Sequence, residues 1–96
     1  MRLLIGYDVE TTNSAGRKRL RRMAKACEGH GQRVQYSLFE CTLTKAQYEE
    51  FKHRLIDIMN EDKDNLRIYH LQGAADDIVE EYGRFQATDF DDPLIL

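Results

Sequence analysis

The stretch "LLIGYDVE" (residues 3–10) decides how the chain is read. Leu3, Leu4, Ile5 and Tyr7 make a nearly continuous apolar run. That composition suits a central strand covered on both faces. The run then meets Asp8, followed by Val9 and Glu10. A carboxylate at the exit of a core strand needs either a local partner or a chemical task. Working outward from it, residues 2–9 are expected to form the first strand. The turn formers "TTNSAG" (11–16) follow, with Asn13 and Ser14 as candidates to start a helix.

From Gly16 the pattern is helical, with Leu20, Met23, Ala24 and Cys27 on one face. Gly29 and Gly31 are expected to end that helix through a left-handed glycine cap. "RVQYSLFECTL" (33–43) alternates in polarity. It reads as one long strand or as two short ones joined tightly near Tyr36 and Ser37. Thr44 and Gln47 have capping-box spacing at the start of a second helix. The buried stripe of that helix is Tyr48, Phe51, Leu55, Ile58 and Met59. Polar "NEDKDN" (60–65) ends it, "LRIYHL" (66–71) is another strand, and Gly73 breaks that strand. A short strand is expected over residues 78–82.

The order β-α-β-β-α-β predicts an α+β, ferredoxin-like sandwich, with two helices on one face of an antiparallel sheet. The second sheet face needs cover, which a dimer stacked sheet on sheet would provide. The extra strand at 78–82 is free to pair with a partner's edge. One domain over residues 1–83 and an acidic tail over 84–96 complete the organisation. The tail ends in Leu94, Ile95 and Leu96, apolar enough to dock.

Length and composition narrow the function classes. Ninety-six residues, 42% hydrophobic and 32% charged, describe one modest globular domain. No apolar run approaches the roughly 20 residues of a membrane helix. The start is too short for a signal peptide, so a cytoplasmic location is expected. Cys27 and Cys41 lack metal or redox spacing and read as buried thiols. His30, His53 and His70 form no zinc pattern and read as surface or packing residues. The net charge of −3 conceals an asymmetry. Residues 1–54 hold 11 Lys and Arg against 6 Asp and Glu, while residues 55–96 hold 3 against 11.

The basic excess is concentrated in Arg17, Lys18, Arg19, Arg21, Arg22 and Lys25. Cations in a first helical turn oppose the helix dipole, which prefers Asp or Glu there. An anion bound at that end would explain the placement; a solvated basic face is the plainer reading. Asp8 also has two readings. It either accepts N–H groups of the 11–16 loop or pairs with Arg17, or it is a magnesium ligand. Magnesium often takes only one or two protein carboxylates, with waters and phosphate oxygens completing its shell. Two copies of Asp8 across a two-fold axis would hold one ion between subunits, positioned to polarise a phosphodiester. Glu10 reads as an exposed loop acid. Tyr7, Tyr36 and Phe39 read as core or dimer-interface aromatics, with base stacking as the minor alternative.

Tyr7-Asp8 at the end of an apolar strand, the basic helix over residues 17–25 and "QYSLFE" (35–40) together resemble the small CRISPR-associated endoribonuclease family. That family is the second of the two core proteins of CRISPR spacer acquisition. The similarity runs over about residues 1–82. The resemblance implies a ferredoxin-like homodimer whose last strands cross to the partner sheet. It implies a divalent-metal site at Asp8, with magnesium or another cation such as manganese. The implied activity is metal-dependent endonuclease cleavage of single-stranded RNA or double-stranded DNA, with Asp8 catalytic. Arg33 and Phe39 match positions of the family's site. Leu20 departs from the pattern where members often carry a basic residue, and Arg19 or Arg22 is the substitute. Arg17, Arg19, Arg22, Arg33 and Phe39 are thus the expected nucleic-acid contacts. The implied partner is the CRISPR integrase, which the acidic tail is placed to contact. No His or Lys stands beside Asp8 as an obvious general base, so a non-catalytic dimeric DNA scaffold is the alternative. Fold alone does not choose between them.

Overall fold

The computed structural model describes residues 1–71 and 79–84. The elements are β1 (Arg2–Asp8), α1 (Ser14–Glu28), β2 (Gly31–Gln35), β3 (Leu38–Thr42), α2 (Lys45–Ile58), β4 (Asn65–His70) and β5 (Val79–Gly83). They form one antiparallel sheet in the order β2-β3-β1-β4-β5. β1 lies at its centre, between β3 and β4, as its apolar composition predicts. β1 and β2 run parallel with β3 between them, and β3 and β4 run parallel with β1 between them. These two interleaved split βαβ units define the ferredoxin-like arrangement.

Alternation along β1 sends Leu3, Ile5 and Tyr7 into the core beneath the helices. Leu4, Gly6 and Asp8 face the other way. The core joins these residues to Met23, Ala26 and Cys27 of α1 and to Tyr48, Phe51, Leu55 and Ile58 of α2. Both cysteines are free and buried. Burial pushes the Cys27 thiol up to about 12 and the Cys41 thiol to about 11, so both are inert at neutral pH.

Thr44 caps α2 in the expected capping box with Gln47. The hairpin resolves into two short strands, joined at Tyr36 and Ser37.

Several expectations need correction. Gly29 does cap α1, but in the right-handed region at φ −69°. Gly31 belongs to β2, where a side chain would collide with the Cys41 sulfur and the backbone of Glu40. Asn13 caps α1 as expected, and the helix begins at Ser14, two residues before the apolar periodicity sets in at Gly16. A Cβ on Gly16 would run into the Glu10 carbonyl oxygen, so only glycine lets the helix start so close to the β1 exit. The earlier start moves Lys18 and Arg19 out of the first turn, and the Asn13 side chain accepts the Gly16 N–H at 2.8 Å. The helix end is therefore capped from within the chain, and every basic residue of α1 after Arg17 projects from a later turn.

β5 pairs through one edge with the chain's own β4. Cross-strand polar contacts hold it there. Arg67 and Asn65 both reach Glu81, at 3.0 and 2.7 Å. The expected break at Gly73 and the tail beyond residue 84 lie outside the described residues. Among the described residues no helix is long and apolar enough to cross a membrane.

Candidate functional site

Asp8 is the last residue of β1, paired in register with Asn65 of β4. Its side chain is exposed and has no hydrogen-bond or ion-pair partner among the described residues. The local duty that Asp8 would otherwise perform falls to Asp64. That carboxylate is buried and accepts the Glu10 N–H at 3.0 Å, the Asn60 N–H at 2.9 Å and Arg19 Nε at 2.8 Å. Burial pushes the Asp64 carboxyl up, but Arg19 and the two backbone donors outweigh it and hold the group below the usual range. With the loop tied down from beneath, Asp8 is left facing solvent.

A cleft of about 470 Å³ opens at this strand exit, between α1 and the β2–β3 turn. Tyr7, Val9, Leu20 and Ala24 line it as apolar wall. Asp8, Thr11, Arg21, Arg33, Tyr36 and Ser37 supply its polar and aromatic lining. The Tyr7 N–H donates to the Ser37 carbonyl at 3.2 Å and ties the turn to β1. Burial pushes the Tyr7 hydroxyl up to about 12, with the nearby Cys27 adding to it. The phenol therefore stays protonated at neutral pH and is no base. None of His30, His53 and His70 lines the cleft. His30 packs on Phe51 at 4.7 Å, His53 lies 3.5 Å from Asp57, and His70 contacts Glu80.

The expected nucleic-acid contacts divide into three groups. Arg17 and Arg22 are exposed on α1. Arg33 reaches the cleft, its guanidinium 5.1 Å from the Phe39 ring centre and 3.1 Å from Glu28. The Glu28 pair is exposed on both sides and is worth little, so a phosphate can displace it. Arg19 and Phe39 are corrected. Arg19 turns inward, its side chain 15% exposed, and is committed to Asp64. Phe39 is fully buried and stacks on Tyr7 at 6.1 Å, so it supports Arg33 from below and presents no exposed face to the cleft. Tyr36, read as a core or interface aromatic, is 89% exposed.

Arg21, which is not among the expected contacts, also lines the cleft, and its spacing signals this. Arg17, Arg21 and Lys25 stand four residues apart and share one helical face. Asp64 had almost no signal, since it is one of several polar residues in a run.

Fold and site together define a ferredoxin-like α+β protein whose central strand delivers an exposed aspartate to a cleft rimmed by arginines. The chain belongs to the CRISPR associated protein Cas2 family, whose model matches residues 1–77. It is 50% identical, over the full length of both chains, to the CRISPR-associated endoribonuclease Cas2 1 of Moorella thermoacetica. It is 46% identical, again over both full chains, to the CRISPR-associated endonuclease Cas2 of Halalkalibacterium halodurans. Its structure is similar to that of Streptococcus pyogenes Cas2, with a TM-score of 0.71 and 51% identity, covering 75% of this chain and 87% of that one. A second Cas2 crystal structure matches with a TM-score of 0.64 and 32% identity, covering 91% of each chain.

Proposed function

We propose that this Cas2-family chain is a divalent-metal-dependent endonuclease that hydrolyses phosphodiester bonds and acts as a homodimer in CRISPR spacer acquisition, beside the CRISPR integrase. The observation that carries the reading is the Asp8 carboxylate at the exit of the central strand, exposed and unpartnered among the described residues, in a cleft that also presents Arg21 and Arg33. Among the described residues no three His, Cys, Asp or Glu side chains converge on one point. One protomer therefore offers half a site. Magnesium fits such a site, because it accepts one or two carboxylates and fills its shell with water and phosphate oxygen. Two copies of Asp8 across a two-fold axis meet that need. The outward face of β1, with half-buried Leu4 and Gly6, gives such a dimer a surface to cover.

When bound, the ion supplies Lewis-acid polarisation of the phosphoryl group and a more acidic water. The chain's own residues do the rest. Asp8 positions the cation, and Arg21 and Arg33 orient the phosphate and neutralise charge that develops on its oxygens. Arg17, Lys18, Arg22 and Lys25 carry the flanking backbone along α1.

Asp8→Asn tests this reading. Magnesium-dependent cleavage of single-stranded RNA or duplex DNA should fall at least about 10-fold, while binding of the same nucleic acids is retained. Chelation with EDTA should stop cleavage by the unaltered protein. A purified protein that cuts neither substrate with any divalent ion overturns the proposal.

The exposed basic face of α1 favours a second reading, a non-catalytic scaffold that tracks duplex DNA for the integrase. Arg17, Lys18, Arg21, Arg22 and Lys25 are all exposed, and none forms an ion pair among the described residues. Replacing Arg17 and Arg22 with Ala should weaken duplex binding and reduce the slope of log K against log salt by about 2, roughly one per lost phosphate contact. An unchanged slope would remove α1 from the interface.

A further inference from the structure

We propose that Tyr36 is a stacking platform for an unpaired nucleobase, which makes a single strand the preferred ligand of the cleft. The inference deepens the nuclease reading and rests on it for the cleft's role, though its own test does not need cleavage. Tyr36 sits at the tip of the β2–β3 hairpin and is 89% exposed, the most exposed large apolar side chain among the described residues. Turn chemistry does not call for it. No non-glycine residue there has a positive φ, and small polar residues serve such turns at no hydrophobic cost. A ring left in water forfeits the burial that makes aromatics useful elsewhere.

Its surroundings suit a polynucleotide. Tyr36 lines the same cleft as Asp8, Arg21 and Arg33. The hydrogen bond from Tyr7 N–H to the Ser37 carbonyl anchors the turn to the central strand, so the ring is presented from a fixed base. Two guanidinium groups can hold successive phosphates while a flat apolar face takes the base between them. This pairing of cationic groove and aromatic platform is the general solution for single strands. In a duplex both faces of each base are already covered, so the ring would gain nothing. A single strand bound in this way sets its phosphates beside Asp8 with one base immobilised.

The test uses the full chain carrying Asp8→Asn, so that oligonucleotides survive, and short single strands containing 2-aminopurine, whose fluorescence is quenched on stacking. Single-stranded RNA and single-stranded DNA should both be quenched on binding. Tyr36→Ala and Tyr36→Leu should abolish the quenching and weaken single-strand binding roughly 10-fold, with duplex affinity unchanged. Tyr36→Phe should behave as the parent, because the π face is what matters. Equal losses on single strand and duplex would overturn the proposal. So would unchanged quenching, or a loss of dimer in sedimentation without any change in single-strand binding. Cleavage by the protein with Asp8 intact is measured separately. Quenching without cleavage leaves the stacking role standing and removes the nuclease; cleavage with quenching indifferent to Tyr36 does the reverse.

Discussion

Asp64→Ala is expected to lower the free energy of unfolding by about 3 kcal/mol at neutral pH. Asp64 is the single buried charged or polar residue among those described, and its surroundings have no substitute for it. Removing the carboxylate leaves the N–H groups of Glu10 and Asn60 without their acceptor and strands the inward-turned Arg19. Its backbone adds a fourth tie, since the Asp64 carbonyl accepts the Arg84 N–H at 2.7 Å. The β1–α1 loop, α1, the end of α2 and the end of β5 therefore meet at one residue. Asp64→Asn keeps the shape and one acceptor oxygen, and should cost less than Ala. Urea denaturation at fixed protein concentration checks both variants. A loss below about 1 kcal/mol for Ala would mean that water satisfies the orphaned groups.

Glu80→Gln should remove about 2 kcal/mol at neutral pH and flatten the acid side of the stability profile. Glu80 reaches from β5 back to α2. It accepts hydrogen bonds from the Tyr48 hydroxyl, from the Tyr82 hydroxyl at 2.7 Å, from His70 at 2.7 Å and from Lys52 at 3.2 Å. Burial raises its pKa, but these donors outweigh it and hold the group at about 2 against an ordinary 4.5. A carboxyl depressed on folding contributes its full stabilisation above the unfolded value and loses it as pH falls. The contribution should thus be complete above about pH 4.5 and fade towards pH 2. Asp64, depressed in the same direction, adds to the same acid-side slope. Denaturation midpoints from pH 7 to 2 read this directly. A variant whose acid slope matches the parent would assign the titration to other carboxylates.

Much of the fold was legible because its signals are periodic and local. The apolar run of residues 3–7 placed β1 at the centre, and the Thr44–Gln47 spacing capped α2 where it starts. The helical stripe of Leu20, Met23 and Cys27 was equally plain. What stayed hidden depends on long-range partners. Arg19 and Arg22 look alike in sequence, yet one pairs with an acid 45 residues away and the other faces solvent. Phe39 and Tyr36 are three residues apart, and only the pleat and the turn decide that one is sealed and the other bare. The assignment of β5 to its own β4 likewise rests on Asn65, Arg67 and Glu81 finding each other across the two strands.

The central position of β1 also governs the order in which the molecule can assemble. Made before β3 and β4, its two neighbours, it has both hydrogen-bonding edges open until they have left the ribosome. Such late, non-local pairing slows folding and leaves an apolar strand available for wrong partners. Pulse-labelled hydrogen exchange during refolding should find β1 amides protected together with those of β4. Arg2 and Asp8 stand at the two ends of the run. Charges so placed discourage edge-to-edge association of the nascent strand, so the aspartate that opens onto the cleft also guards the strand before the cleft exists.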